Sequence, residues 1–228
     1  MSPRIISHRG KVDLSSPEND LIGIQQAIEL GVDMVEFDVR RTSDDVLVCH
    51  HDAKVDGVAV SNLSYNMIKD NNKHLCKVDE VLSLCKGKIG VNLEIKEAGF
   101  ETRVVDMLVS NFSYEDIYVT SFLPSVIRSV KSIDSKIVSG LLLGDAISYQ
   151  VFYRIIKEAL FMTNFLYSKA DFISPYYKIY EMGLIRNFQK KRIPIQLWTV
   201  NELNFLKDLI NSDIQSIVTD VPIEILGI

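Results

Sequence analysis

Two short runs place charged side chains at every second position of an otherwise apolar segment. The first is Met34-Val35-Glu36-Phe37-Asp38-Val39-Arg40, and the second is Ile89-Gly90-Val91-Asn92-Leu93-Glu94-Ile95-Lys96. Side chains alternate across a strand, so Val35, Phe37 and Val39 share one face while Glu36, Asp38 and Arg40 share the other. In the second run Asn92, Glu94 and Lys96 form the polar set. Converging carboxylates repel one another, and an unpaired buried charge costs several kcal/mol. Two remedies exist. Arg40 and Lys96 can pair with the acids as an ion network, or a hard cation can bind among them. Three oxygen donors at the C-terminal ends of two adjacent strands favour a Mg²⁺ or Ca²⁺ site.

Two further groups add to this chemistry. His8-Arg9-Gly10 closes the first apolar run, and His50-His51-Asp52 closes a short run after Arg40. Adjacent residues point to opposite faces, so only one of His50 and His51 can readily face a common site. Imidazoles, carboxylates, an arginine and a lysine on one rim describe phosphoester cleavage. A metal with Arg and Lys would hold the phosphate charge, and two imidazoles would serve as acid and base.

The elements that must position these residues follow a βα rhythm. Strands are predicted over Arg4–Ser7, Met34–Arg40, Ile89–Lys96, Ile117–Ser121, Lys136–Leu141, Ala170–Ser174, Pro194–Thr199 and Gln215–Thr219. Helices are predicted over Asp20–Leu30, Val78–Cys85, Phe100–Ser110, Pro124–Ser132, Ile147–Met162, Lys178–Lys190 and Glu202–Ile210. Such alternation gives a parallel sheet covered by helices. The 228 residues divided by eight give about 28 per unit, the size expected of a small (β/α)8 TIM barrel occupying residues 1–228 as one domain. A short extra strand, Val46–His50, and a polar, Asn-rich stretch, Ala53–Lys77, interrupt the second unit and read as a loop or small excursion on one barrel face. The eighth helix is vestigial at best.

Composition excludes other classes. The chain is 47% hydrophobic and 24% charged, with a formal net charge of −5, which is ordinary for a folded domain. It lacks the Lys/Arg blocks expected of a nucleic-acid partner, and no apolar run reaches the ~18 residues that a transmembrane helix needs. Cys49, Cys76 and Cys85 are odd in number and widely spaced, as expected of reduced thiols in the cytoplasm. The opening MSPRIISHRG offers no room for a signal-peptide core. Neither GxGxxG nor GxxxxGK[ST] is present.

In order along the chain stand His8-Arg9-Gly10, Pro17-Glu18-Asn19, Glu36-x-Asp38, His51-Asp52, Glu94-x-Lys96, Ser121-Phe122, Trp198-Thr199-Val200-Asn201 and Thr219-Asp220-x-Pro222. On these runs the sequence resembles the glycerophosphodiester phosphodiesterase family over nearly its whole length. The resemblance implies a TIM barrel that uses one divalent cation to hydrolyse glycerophosphodiesters to sn-glycerol 3-phosphate and an alcohol. It implies Glu36, Asp38 and Glu94 as metal ligands, with His8 and His51 as the acid/base pair. Arg9 and Lys96 would contact phosphate oxygens, Trp198 would line the pocket against the glycerol moiety, and Glu18 is a further pocket candidate. Asn19 is expected to be mainly structural, and His50 to point away. Attack by water and attack by the substrate's 2-hydroxyl both remain open.

Two departures bear on specificity. Ala53-Lys54-Val55-Asp56-Gly57 stands where many members carry Leu-x-Arg-Thr-Thr, and the excursion lacks the aromatic, glycine-rich piece of larger members. A related activity on larger lipids, of lysophospholipase D type, and a non-catalytic phosphate-binding barrel are the alternatives.

Overall fold

The computed structural model describes residues 2–144 and 149–226. Eight parallel strands form the ring: β1 (Arg4–Ser7), β2 (Met34–Arg41), β6 (Gly90–Ile95), β7 (Ile117–Ser121), β8 (Val138–Leu143), β9 (Phe172–Pro175), β10 (Gln196–Leu197) and β11 (Ser216–Thr219). Continuous ladders run β10-β11-β1-β2-β6-β7-β8-β9. Parallel bridges Ile173–Ile195 and Tyr176–Trp198 join β9 to β10 and close the TIM barrel. The strand expected over Pro194–Thr199 is therefore only two residues of ladder, because its neighbours meet β9 through single bridges. The fifth strand lies two residues further along than expected, at Val138–Leu143.

Two apolar layers follow from the alternation. Val35, Phe37, Val39, Val91, Leu93 and Ile95 face outward into a continuous core against the helices. Inside the ring, Ile6, Met34, Tyr118, Phe172 and Val218 form a separate plug. Gly140 makes that plug possible, since a Cβ there would sit 2.1 Å from the Phe172 ring. The plug fills the lower barrel, so polar inward positions are left for its C-terminal mouth, where active sites of this architecture lie.

The outer helices include α1 (Leu21–Leu30), α3 (Val78–Cys85), α4 (Glu101–Val109), α5 (Pro124–Ile133) and α10 (Leu203–Ile210). Residues 147 and 148 of the helix expected over Ile147–Met162 lie outside the described residues; α6 runs Tyr149–Phe161, and a second helix, α7 (Thr163–Ser168), follows the left-handed Met162. The helix expected over Lys178–Lys190 is two, α8 (Tyr177–Glu181) and α9 (Arg186–Lys190), separated at Gly183 with φ +68°. Among the described residues, a five-residue α11 (Pro222–Leu226) stands for the eighth helix.

The excursion is more ordered than a polar loop. Strand β3 (Leu47–Cys49) pairs antiparallel with β2, and a hairpin of β4 (Lys54–Val55) and β5 (Val58–Ala59) leads to α2 (Tyr65–Asn71). Val48, Val60, Ile68 and Leu75 give it a small core of its own. Four apolar residues dispersed among Asn, Asp and Lys carry no period, which is why the sequence pattern reads as loop.

Candidate active site

The chain leaves β1 through a tight turn in which Arg9 (φ +53°) and Gly10 (φ +74°) both adopt left-handed backbone. Gly10 is required there: a Cβ would lie 2.5 Å from Ile24 Cγ1 of α1. The turn aims the Arg9 amide at Glu36, donating to Oε2 at 2.9 Å. Its guanidinium reaches Glu18 Oε2 at 2.7 Å and Asp38 Oδ2 at 3.3 Å.

Parallel register between β2 and β6 sets Glu36 beside Asn92 and Asp38 beside Glu94. These four inward positions follow from strict alternation along the two strands, and three of them form a buried acidic triad. One oxygen from each of Glu36, Asp38 and Glu94 lies within 4.8 Å of the others. Lys96 Nζ stands between two of them, 2.8 Å from Asp38 Oδ1 and 2.6 Å from Glu94 Oε1. Asn19 grips Asp38 twice, its Nδ2 donating to Oδ2 at 2.9 Å and its Oδ1 accepting from the Asp38 amide at 3.0 Å.

Three carboxylates thus face two cations, Arg9 and Lys96, and the acids divide accordingly. Burial opposes ionisation of Asp38, but Lys96, Arg9 and the bonds from Lys96 and Asn19 outweigh it and hold the carboxyl down at about 2. Burial drives Glu36 well above the usual carboxylate range, reinforced by Asp38 and Glu94. Burial likewise pushes Glu94 up to about 7, against the pull of Lys96. Glu94 Oε1 is fully buried without a directional hydrogen bond, Lys96 approaching it off axis. Hard oxygen donors, an excess of negative charge and an acceptor without a proper donor fit a divalent cation.

The two histidines share one construction. His8 Nδ1 lies 2.8 Å from Asp220 Oδ1, leaving Nε2 as the free nitrogen at the cavity. Asp220 is fixed in turn by Asn201, whose Nδ2 donates to Oδ2 at 2.7 Å and whose Oδ1 accepts from the Asp220 amide at 2.9 Å. Burial opposes the charge on Asp220, but His8 and Asn201 hold it at about 2. His51 Nδ1 lies 2.8 Å from Asp52 Oδ1. Burial, then Lys96, depress the affinity of His51 for a proton. His50 has its amide bonded to the Asp38 carbonyl at 3.1 Å and is half-buried.

A cavity of about 590 Å³ opens over this rim. His8, Arg9, Glu36, His51, Glu94, Lys96 and Trp198 all line it; Asp38 lies behind them, almost fully buried, and His50 and Glu18 are not in its wall. Glu18 is half-exposed and holds Arg9 from outside. Arg40 lines the cavity but turns from the acids to Glu97 (3.4 Å) and to the carbonyl of His51 (2.9 Å), so the triad's charge is met by Arg9 and Lys96. Trp198 is anchored by Nε1 donating to the Ser174 carbonyl at 2.8 Å and packs edge-on to Phe122, with centroids 5.5 Å apart.

Residue-type reasoning passes over Asp220 and Asn201 as functional positions. Asp220 stands two residues beyond inward-facing Val218, and that spacing was the available signal. Asn19, expected to be mainly structural, acts on the site through Asp38.

The family profile described as "Glycerophosphoryl diester phosphodiesterase family" matches residues 8–224. A glycerophosphodiester phosphodiesterase of Caldanaerobacter subterraneus is 27% identical over 244 residues, covering 97% of this chain and 96% of the relative. Among solved structures, a glycerophosphoryl diester phosphodiesterase fold from Agrobacterium tumefaciens aligns with a TM-score of 0.82 at 20% identity, covering 99% of this chain and 96% of that one. A phosphodiesterase from Oleispira antarctica, solved in complex with the product sn-glycerol-3-phosphate, aligns with a TM-score of 0.77 at 17% identity, covering 99% and 96%.

Proposed function

The chain belongs to the glycerophosphoryl diester phosphodiesterase family, and from that premise we infer that it hydrolyses glycerophosphodiesters to sn-glycerol 3-phosphate and an alcohol by metal-assisted acid–base catalysis. The observation that carries the chemistry is the convergence of a buried acidic triad and two Asp-held imidazoles on one cavity.

Glu36, Asp38 and Glu94 would hold one divalent cation, Mg²⁺ or Ca²⁺. When bound, the cation would supply Lewis-acid stabilisation of the phosphate charge. Lys96 and Arg9 would bind phosphate oxygens, offsetting the repulsion that an acidic protein exerts on an anionic substrate. His8 and His51, each with Nδ1 committed to a carboxylate, would present Nε2 to the substrate. One would take the proton from the nucleophile, water or the substrate's 2-hydroxyl, and the other would protonate the departing alcohol oxygen as the P–O bond breaks. The lowered proton affinity of His51 suits it to be neutral at pH 7. Trp198 would form the apolar wall against the glycerol carbons, and Glu18 would act at one remove by steadying Arg9.

The same reading makes residues 1–228 one catalytic domain acting on a small diester, with no nucleic-acid partner. Among the described residues no helix is long and apolar enough to cross a membrane. Cys49, Cys76 and Cys85 are free, buried thiols, and a reducing, cytoplasmic setting suits them. Incubation with glycerophosphocholine, glycerophosphoethanolamine and glycerophosphoglycerol, each with Mg²⁺, Ca²⁺ or EDTA, tests the reading. EDTA-sensitive release of glycerol 3-phosphate is expected from at least one diester; its absence from all three refutes it.

A further inference from the structure

We propose that the floor of the active-site cavity is a hydroxyl-reading subsite, built by Gln196 with Asn92, Thr120 and Ser174, that selects the glycerol moiety of the substrate. The proposal rests on the phosphodiesterase reading and adds the residues that distinguish glycerol from a bare alkyl chain.

All four side chains line the cavity and are at least 98% buried. They sit on four inward-facing positions above the apolar plug, with Asn92 beside Glu36 in the β2–β6 register. Asn92 precedes Glu94 by two residues, and Gln196 precedes Trp198 by two, so each lies about 6.6 Å back along its strand from a residue of the reacting rim. The four are linked in a chain. Thr120 Oγ1 donates to Asn92 Oδ1 at 3.4 Å, Asn92 Nδ2 to Gln196 Oε1 at 3.3 Å, and Ser174 Oγ to Gln196 Oε1 at 3.2 Å. Gln196 Nε2 is left without a partner despite complete burial. Its register neighbour Ser216 also leaves Oγ unpaired and is not in the cavity wall.

Leaving a buried amide donor unmatched is unfavourable by about 1–3 kcal/mol, so such an atom at a cavity floor points to a polar ligand group. Flipping both amides would exchange the unmatched donor for an unmatched acceptor without removing it. A hydroxyl both donates and accepts and therefore satisfies either orientation; a trimethylammonium or a methyl group satisfies neither. The wall above this floor is apolar, formed by Trp198, Phe122 and Leu142. A polyol matches that division, with C–H groups against the aromatic wall and O–H groups on the amides. Glycerol, attached to the phosphate held by the rim, is short enough to reach the floor.

Calorimetric titration of the Mg²⁺-loaded protein with sn-glycerol 3-phosphate and with n-propyl phosphate, its analogue without hydroxyls, tests this. Wild-type protein should bind glycerol 3-phosphate about tenfold or more tightly, the scale of one or two hydrogen bonds that the analogue cannot make. In Gln196→Leu the two affinities should converge to within about threefold. Their ratio is internal to each preparation and insensitive to a misfolded fraction. Ser174→Ala, a smaller change to the same chain, should narrow the ratio in the same direction if Gln196→Leu does not fold. Equal affinity in the wild type, or an undiminished ratio in the variants, overturns the proposal. Turnover of glycerophosphocholine by the wild type is followed in parallel. Turnover without hydroxyl preference sinks only this inference, whereas no turnover of any glycerophosphodiester sinks the functional reading beneath it.

Discussion

Replacing Asp220 by Asn is the most discriminating perturbation of the His8 site, because the neighbouring hydrogen bonds dictate which way the new amide must face. Asn201 Oδ1 accepts from the Asp220 amide at 2.9 Å and from Thr219 Oγ1 at 3.3 Å. Its Nδ2 is therefore the group that meets residue 220, at 2.7 Å from Oδ2. An Asn at 220 can satisfy that donor only with its carbonyl, which turns its NH₂ toward His8 Nδ1. The imidazole must then accept at Nδ1 and carry its proton on Nε2. That tautomer has no lone pair at the cavity and cannot serve as a base. The imidazolium form would set two donors against each other at 2.8 Å, so a charged acid is disfavoured as well. Either role is lost while the shape of the side chain is kept. A general acid or base contributes typically 10²–10⁴ in rate, so kcat for release of glycerol 3-phosphate should fall by that factor, about 3–5.5 kcal/mol in the barrier. Metal affinity should change little, since Asp220 is not among the triad. The assay is steady-state kinetics on the best glycerophosphodiester, with ¹⁵N NMR reporting the His8 tautomer. A kcat within threefold of wild type would show that the His8–Asp220 contact does not set the catalytic state of the ring.

Other consequences follow from the same geometry. His51→Ala should abolish turnover with the fold retained by circular dichroism, while His50→Ala should keep most activity, since only His51 lines the cavity; the reverse pattern would exchange their roles. Burial raises the carboxyls of Glu36 and Glu94, that of Glu94 to about 7, so the Glu94 contribution to metal-free stability is complete below the unfolded value near 4.5 and lost as pH rises through about 7, with Glu36 acting in the same direction. Differential scanning calorimetry should show the metal-free Tm falling by several degrees between pH 5 and 8 and saturating Mg²⁺ or Ca²⁺ reversing the trend; a flat metal-free profile would contradict the burial of charge in the triad. In Glu94→Gln, calorimetric titration should show weakened binding of the cation with Tm near that of metal-free wild type. Gly10→Ala combines a left-handed backbone with a 2.5 Å approach to Ile24 and should cost about 2–5 kcal/mol by chemical denaturation.

The inner and outer faces of β2 and β6 were legible in sequence because a strand's period is two and the apolar set marks the buried helix-facing side. That alone selected Glu36, Asp38, Glu94 and Lys96 as one polar group, and the plug residue Met34 follows from the same alternation. Alternation said only that one of His50 and His51 could face the site; the choice of His51 came from the family resemblance, and His51 is the one that lines the cavity. The predicted start of the first helix agrees with the structure to one residue, and there Asp20 caps α1, its carboxylate accepting from the Ile22 amide. Where the determinant was not local, the pattern misled. Gly183 divides α8 from α9 within an unbroken amphipathic stretch, and the excursion folds on four scattered apolar residues.

Charge pairing was the least legible feature. Arg40 shares a face with the acids yet pairs with Glu97, and Arg9, in the turn after β1, takes its place at Asp38. Asp220 lies 212 residues from His8 in the chain and 2.8 Å from it in space. Alternation acts within one strand and says only which face a side chain joins. Which groups on that face touch depends on the stagger of adjacent strands and on closure of the ring, which brings the last strand beside the first. The sequence by itself therefore determined the barrel, the polar mouth and its chemical class. Only the tertiary structure decided which carboxylate holds which base, which cation meets the acids, and that a linked group of amides and hydroxyls adjoins them.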